Sequence, residues 1–422
     1  MAACKRQRKN ACTPLAVELS LPLKLLLEII ARSDAHTLFR AAAACKLLRR
    51  DILSPPFIRR VTQPGGIVPP SILTYLNTHD DQADPPPPLS LVHPATPVAM
   101  SFLDDHLNPY MSRFLDDLVS EHCPVSSRGG LVLLRRRHFS GTLSNLCVYD
   151  PITGHRTFLS YPLGINSKNT GCFDGCLLLT AADGIDCSFL LFFIRRVILP
   201  NKSNARTVKV HIATSRRGTW ARASMSDSIS YLLLQRWFAL HKDVVVLHGG
   251  VIHWLVRHYG MIVTYNVCTM EGGTINLPGH AINFKEKLHL GSYDGRQLLC
   301  VLGAKGFSIS VWHQLPSRDW PPEAMTIDTE EKLQSLYPDI SLDGPFLTVL
   351  QCADKGISTV FLRIYRYGLR TSCRVLLFNV ELETLEVLVQ QNSTHYSILL
   401  EVDLPSRLRT MKIFSKPNSS TS

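Results

Sequence analysis

From Gly129 onward the chain is made of short β-type runs that recur at regular spacing, and no other feature restricts its architecture as much. Runs rich in Val, Ile, Leu, Phe and Tyr stand at Leu131–Leu134, Leu146–Tyr149, Cys176–Leu179, Phe189–Ile194, Val208–Ala213, Val244–Leu247, Val251–Val256 and Ile262–Tyr265. Further runs stand at Leu298–Leu302, Ile309–Trp312, Phe346–Leu350, Val360–Tyr365 and Val375–Val380, with Gly, Asp, Asn, Pro and Ser between them. Three units rhyme: 129–134 with 146–154, 249–255 with 262–269, and 295–301 with 307–312. Each reads as strand, turn, strand, with a polar residue or proline where the second strand ends. A four-stranded blade takes roughly 40–50 residues, so about 290 residues hold six or seven blades. The expectation is a β-propeller-like domain over residues 101–415, with one or two helical turns between Leu103 and Val119 before its strands begin.

Residues 19–60 carry a different period. Leu23, Leu26, Leu27 and Ile30 fall at i, i+3, i+4 and i+7, the stripe of an amphipathic helix, and Pro22 sits where a first-turn proline is tolerated. Asp34 is placed to cap a second helix bearing Leu38, Phe39 and Ala42. Cys45, Leu48 and Ile52 continue a third, which Pro55-Pro56 stops. Three short helices bury little surface, so such a unit is marginal alone and calls for a partner. The fold class expected is therefore multi-domain α + all-β, a small three-helix unit followed by the propeller-like domain. Residues 61–100, with Pro64, Gly65, Gly66, Pro69, Pro70 and the run Pro85–Pro88, have the composition of a semi-rigid linker. Residues 1–18, with the basic run Lys5 to Lys9, read as a disordered leader, and 416–422 as a disordered tail.

Composition narrows the function classes. The longest apolar run, Phe189–Ile194, is far short of the roughly 20 residues a membrane-spanning helix needs, and no apolar signal core follows the first methionine. An intracellular location, cytoplasm and/or nucleus, is expected, with no membrane contact. The 12 cysteines are scattered, and the nearest pair, Cys172 and Cys176, lacks a matching second pair at zinc spacing. Residues 1–62 hold 12 Lys/Arg against four acids, a balance of +8, which leaves +3 of the total +11 for the other 360 residues. That near-neutral remainder gives nucleic-acid binding no support.

Catalytic signatures are missing from the sequence. His248-Gly249-Gly250 resembles an oxyanion-hole turn, but no G-x-S-x-G elbow supplies a nucleophile, and neither a phosphate loop nor H-E-x-x-H occurs. His211, His248 and His253 read as ordinary strand positions. Arg135-Arg136-Arg137 and Arg216-Arg217 read as solvated strand ends, and the five tryptophans as mostly core. A non-catalytic protein with no cofactor and no metal is expected.

The stretch from Leu21-Pro22-Leu23 through Ala31-Arg32, then Thr37-Leu38-Phe39-Arg40-Ala41 and Cys45-Lys46-Leu47-Leu48-Arg49, resembles the F-box. The following Asp51-Ile52-Leu53-Ser54-Pro55-Pro56-Phe57 is similar to the tail of many plant F-boxes. Segments 64–70, 127–131, Asp150-Pro151-Ile152-Thr153-Gly154 and Glu401-Val402-Asp403-Leu404-Pro405 are similar to the F-box-associated β domain of large grass families. The resemblance implies a substrate-recognition subunit of an SCF-type E3 ubiquitin ligase that transfers no ubiquitin itself. Its F-box would bind a Skp-type adaptor and, through it, cullin and RING subunits, while the β domain holds an unidentified target protein. The adaptor-binding residues so implied are Leu21, Pro22, Leu25, Leu26, Ile29, Ile30, Leu38, Cys45, Leu48 and Arg49. Ser33, Ala44 and Leu48 depart from the family pattern. A β-propeller scaffold with a degenerate F-box, acting outside any ligase, is the alternative.

Overall fold

The computed structural model describes residues 21–63, 66–69, 71–76, 89–93, 96–109, 111, 122–136, 146–160, 162, 176–198, 206–217, 219–223, 244–284, 288–292, 298–336, 345–352, 360–366, 373–379, 383–391, 398–403 and 407. The leader, the tail, the Pro85–Pro88 run and Trp237 lie outside these residues.

Four helices open the described chain: α1 (Leu23–Arg32), α2 (Ala35–Ala44), α3 (Lys46–Ile52) and α4 (Pro55–Thr62). Pro22 precedes α1, and its carbonyl accepts from the amides of Leu25 and Leu26. Asp34 caps α2 as expected, its carboxylate accepting from the Thr37 amide at 2.7 Å. The fourth helix corrects the expectation of three. Pro55 and Pro56 do end α3, but prolines also suit a first turn, where the missing amide costs no hydrogen bond. They start α4, which buries Phe57, Ile58 and Val61.

The segment expected as linker is part of the β body. β1 (Ser71–Leu76) and β2 (Leu89–His93) pair antiparallel with each other, and β1 also pairs with the last strand, β23 (Ile398–Asp403). The register runs from Ser71↔Asp403 to Leu76↔Ile398. Proline and glycine between short runs hide these strands in the sequence, because each run is half the length of the punctuation around it. A helix α5 (Pro97–Phe102), capped by Thr96, passes into a π-helical turn at Leu103–Leu107. Helical structure therefore begins six residues before the Leu103 expected.

Five four-stranded antiparallel sheets follow. The first holds β3 (His122–Arg128), β4 (Leu131–Arg136), β5 (Leu146–Tyr149) and β6 (Arg156–Leu159). The second holds β7 (Cys176–Thr180), β8 (Phe189–Ile198), β9 (Arg206–Thr214) and β10 (Trp220–Ala223). The third holds β11 (Val244–Leu247), β12 (Val251–Val256), β13 (Met261–Asn266) and β14 (Gly272–Asn276). The fourth holds β15 (Leu288–Ser292), β16 (Leu299–Lys305), β17 (Ser308–His313) and β18 (Met325–Asp328). The fifth holds β19 (Pro345–Cys352), β20 (Val360–Arg366), β21 (Cys373–Asn379) and β22 (Thr384–Gln391).

Within each of these five sheets the strands meander in sequence order, and neighbouring sheets touch through β23 with β3, β3 with β7, β11 with β15 and β15 with β19. The result is mostly β and propeller-like. Cores form between sheets. Phe192, Trp254 and Tyr265 meet between the second and third, and Trp312 lies in the core joining the third and fourth.

Two ion pairs, one part-buried and one buried, tie sheets together. Arg128, closing β3, grips Asp183 beyond β7 through two nitrogens at 2.8 and 2.7 Å and reaches the Val246 carbonyl of β11 at 2.9 Å. Arg407, following β23, pairs with Asp150 beyond β5, and both side chains are buried. The connection from third to fourth strand repeats one left-handed residue: Gly154 (φ 68°), Met270 (φ 62°), Arg318 (φ 68°) and Glu383 (φ 50°). In two of these turns the left-handed residue donates its amide to the carbonyl four residues back, Gly154 to Asp150 and Met270 to Asn266, each at 2.8 Å. Among the described residues no helix is long and apolar enough to cross a membrane.

Candidate protein-docking surface

Helix α1 has two apolar faces with different fates. Ile30 is buried and Leu26 and Leu27 are half-buried, facing inward. Leu21, just before the helix, and Leu25 and Ile29 within it are about half exposed, at 50%, 52% and 52%. Leu25 and Ile29, one turn apart, form a ridge along one side of α1, about 6 Å from each other at 1.5 Å rise per residue, and Leu21 precedes them at the same four-residue spacing. Eleven large apolar side chains are exposed among the described residues, and four of them (these three and Leu47) fall between residues 21 and 47. The other seven are spread from Met100 to Leu336, so the helical unit carries the concentration.

The inward face explains why the ridge is held still. Ile30, Leu38, Phe39 and Ala42 share one core with Phe57, Ile58 and Val61 of α4, with Phe102, Leu103 and Leu107, and with Val132, Leu134, Tyr149, Leu400 and Val402 of the sheets. The helices are thus bolted to the β body. Apolar burial on this scale contributes about 25 cal/mol per Å² removed from water.

The residues implied as adaptor contacts therefore divide. Leu21, Pro22, Leu25, Ile29 and Cys45 are exposed. Leu26 and Leu48 are half-buried, Leu48 packing on the common core. Leu38 (0% exposed) and Ile30 (6%) are core residues here, a correction to their placement on a contact surface: apolar on the inward side, they anchor the unit. Arg49 is partly covered, and its Nε donates to the Ala42 carbonyl at 2.6 Å, joining α3 to α2. Leu47 was missed; its neighbour Leu48 fits the helical stripe, and the stripe singles out the covered leucine. Of the departures, Ser33 donates its hydroxyl to the Ile29 carbonyl at 2.7 Å and closes α1, while Ala44 is exposed.

Exposed charge on the helical unit is mainly positive. Lys24, Arg32, Arg40, Lys46, Arg50, Arg59 and Arg60 are exposed. Glu28 receives Arg60 at 2.7 Å and Arg32 at 2.7 Å, tying α1 to α4, and the Arg60 hydrogen bond leads in holding its carboxyl below the usual range. The Cys45 thiol, ahead of α3, is lowered by the amides of Leu48 and Leu47. Such a surface suits non-covalent docking in which apolar anchors give affinity and surrounding charge steers encounter.

Elsewhere the geometry settles several sequence readings. The amides of Gly249 and Gly250 both donate to the Asp183 carbonyl, at 2.7 and 2.9 Å, so the His248-Gly249-Gly250 turn has no open oxyanion hole. His253 is buried in β12, its Nδ1 3.1 Å from the Val251 carbonyl, and desolvation pulls its pKa down to about 4. Trp254 and Trp312 are core; Trp220 and Trp320 are half-buried, with indole nitrogens donating to the carbonyls of Ser160 and Asn276. Arg216 pairs with Asp186 at 3.0 Å on the surface, and Arg137 lies outside the described residues.

No family model matches the chain, and no curated protein is significantly similar to it. Among solved structures, one from a study of two prolyl endopeptidases is 12% identical over 63% of this chain, with a TM-score of 0.29; this chain spans 33% of that one. A Lactobacillus plantarum protein is 9% identical, covering 77% of this chain and 83% of its own, with a TM-score of 0.35. A chain of a nidogen/laminin complex is 10% identical, covering 78% of this chain and 98% of its own, with a TM-score of 0.32. Likeness this remote assigns neither activity nor partner.

Proposed function

We propose that this chain is the substrate-recognition subunit of an SCF-type E3 ubiquitin ligase. Its N-terminal helices act as an F-box docking a Skp-type adaptor, and its β body is a closed propeller of six blades that holds the target. The observation that carries this reading is the Leu21, Leu25 and Ile29 ridge: half exposed, apolar, borne by a unit whose exposed charges are mainly positive, and fixed in place by the opposite face of the same helix. A free apolar ridge on an anchored helix suits insertion into a partner's groove. The β1–β23 pairing supports the closed ring, because it joins the two ends of the chain's β region in one sheet.

In this role the chain contributes geometry in place of chemistry. The shared core sets the docking ridge and the β body at a fixed separation, so a bound target gains effective concentration near the charged E2 enzyme. Titration with a purified Skp-type adaptor tests the reading: saturable binding at micromolar concentration or below is expected, and no binding would remove it.

A second reading, a scaffold with a degenerate F-box, is favoured by one observation. Part of the helical apolar surface, including Ile30, Leu38 and Phe39, is already covered by the chain's own body. Adaptor titration separates the two readings.

A further inference from the structure

Adjacent arginines recur along the chain, but only two pairs place a hydroxyl two residues on: Arg59-Arg60-Val61-Thr62 and Arg216-Arg217-Gly218-Thr219. The fold treats the two threonines differently. Thr62 is half-buried in the last turn of α4, and its hydroxyl donates to the Ile58 carbonyl at 2.8 Å. Thr219 is exposed, between the turn at Ser215–Arg217 and the start of β10, and its hydroxyl has no partner among the described residues. Arg216 and Arg217 are exposed as well. Arg216 holds Asp186 through two bonds at 3.0 Å, but the two side chains are 59% and 91% open to water, so the pair opens at little cost. β10 is four residues long and forms the edge of the second sheet, bonded to β9 alone. Its first residues can therefore lift by breaking one set of strand bonds and the Trp220 indole bond to the Ser160 carbonyl.

We propose that Thr219 accepts a phosphoryl group from a basophilic serine/threonine kinase, with Arg216 and Arg217 as the cations that the enzyme reads. Cations at the third and second positions before a hydroxyl suit an acidic substrate cleft, which selects by charge as well as by shape. In the transfer the Thr219 hydroxyl oxygen attacks the γ-phosphorus of ATP. The bond from that phosphorus to the bridging oxygen breaks, ADP leaves, and the hydroxyl proton passes to the kinase's catalytic carboxylate. Nothing is oxidised or reduced. The new group brings about −1.5 to −2 charge beside two arginines, whose charge-assisted hydrogen bonds can hold its oxygens, so the fold accommodates it. The modification places a switchable negative charge on the β body and does not depend on what α1 docks.

The test uses the full chain, ATP and a purified basophilic kinase (the catalytic subunit of the cyclic-AMP-dependent enzyme), with phosphorylated positions mapped by mass spectrometry over time. Phosphate on Thr219, ahead of Thr62, is the expected result. Thr219→Val is expected to remove that product and Thr219→Ser to keep it. Arg216→Gln combined with Arg217→Gln is expected to slow its appearance at least about tenfold. The replaced side chains are all exposed, and equal denaturation midpoints check that the variants keep the fold. Three results would each overturn the proposal: Thr219 unmodified while the kinase modifies a control peptide of its own recognition sequence, Thr62 modified ahead of Thr219, or an unchanged rate in the double arginine variant. The first two are read on the wild-type chain, so a variant that failed to fold would not blur the outcome.

Discussion

The ring of Phe39 in α2 lies stacked on His106 of the π-helical turn, centroids 5.9 Å apart and planes 13° from parallel. His106 in turn meets Phe102 at 5.1 Å. This is where the helical unit meets the body, and it makes the two a single packed whole. Phe39→Ala removes a ring that is 3% exposed, and large-to-small changes of this kind cost about 3–5 kcal/mol. Chemical denaturation followed at once by a helix signal and a tryptophan signal should show one shared transition moved to lower denaturant. Separate transitions would mean the helices fold independently of the sheets.

The repeated left-handed residue gives a paired prediction. The first sheet uses Gly154 where the third uses Met270, and Met270 is 47% exposed, so its side chain gains little from packing. A non-glycine residue at such φ costs about 1 kcal/mol. Met270→Gly is expected to raise stability by about that amount, and Gly154→Ala to lower it by a similar one. Denaturant midpoints of the two variants check both signs.

His253 makes stability depend on pH. Its folded pKa is depressed from 6.5 to about 4, so below pH 6.5 the unfolded chain takes up a proton that the folded chain refuses. Stability therefore falls as pH drops from about 6.5 toward 4, and this one group is responsible for about 3 kcal/mol across that window. Unfolding free energies measured at several pH values should show the decline. In His253→Gln the decline should be shallower by that group's share, whatever the variant's stability at pH 7.

Strands with long apolar runs were legible in the sequence because burial leaves a mark, whereas β3 and β15, whose polar and glycine residues interrupt the run, were not. Each apolar run named from sequence, such as Val251–Val256 or Leu146–Tyr149, falls on or overlaps a strand, since strands buried on both faces need continuous apolar side chains. Outermost strands were silent. β14 (Gly-Gly-Thr-Ile-Asn) buries nothing fully, and β18 buries one residue of four, so neither shows the composition that marks a strand. β1 and β2 read as linker because the strand that fastens them to the rest, β23 beside β1, lies more than 300 residues away, beyond any local pattern. At the helical unit, leucine spacing picks out the inward stripe, Leu26, Leu27 and Ile30, while the exposed Leu21, Leu25 and Ile29 are named only through the resemblance to the F-box. What the inward side packs against could not be read, because Phe39 finds His106 only after the chain has folded back.

The docking ridge offers the sharpest test. Leu25→Ala and Ile29→Ala together truncate side chains that are half exposed, so stability should move by about 0.5 kcal/mol or less per site. Calorimetric titration of the wild-type chain and this double variant with a Skp-type adaptor is the measurement to make. Binding by the wild type, weakened at least tenfold in a double variant of unchanged denaturation midpoint, is the expected result. Equal binding by both, or none by either, would contradict the role given to α1.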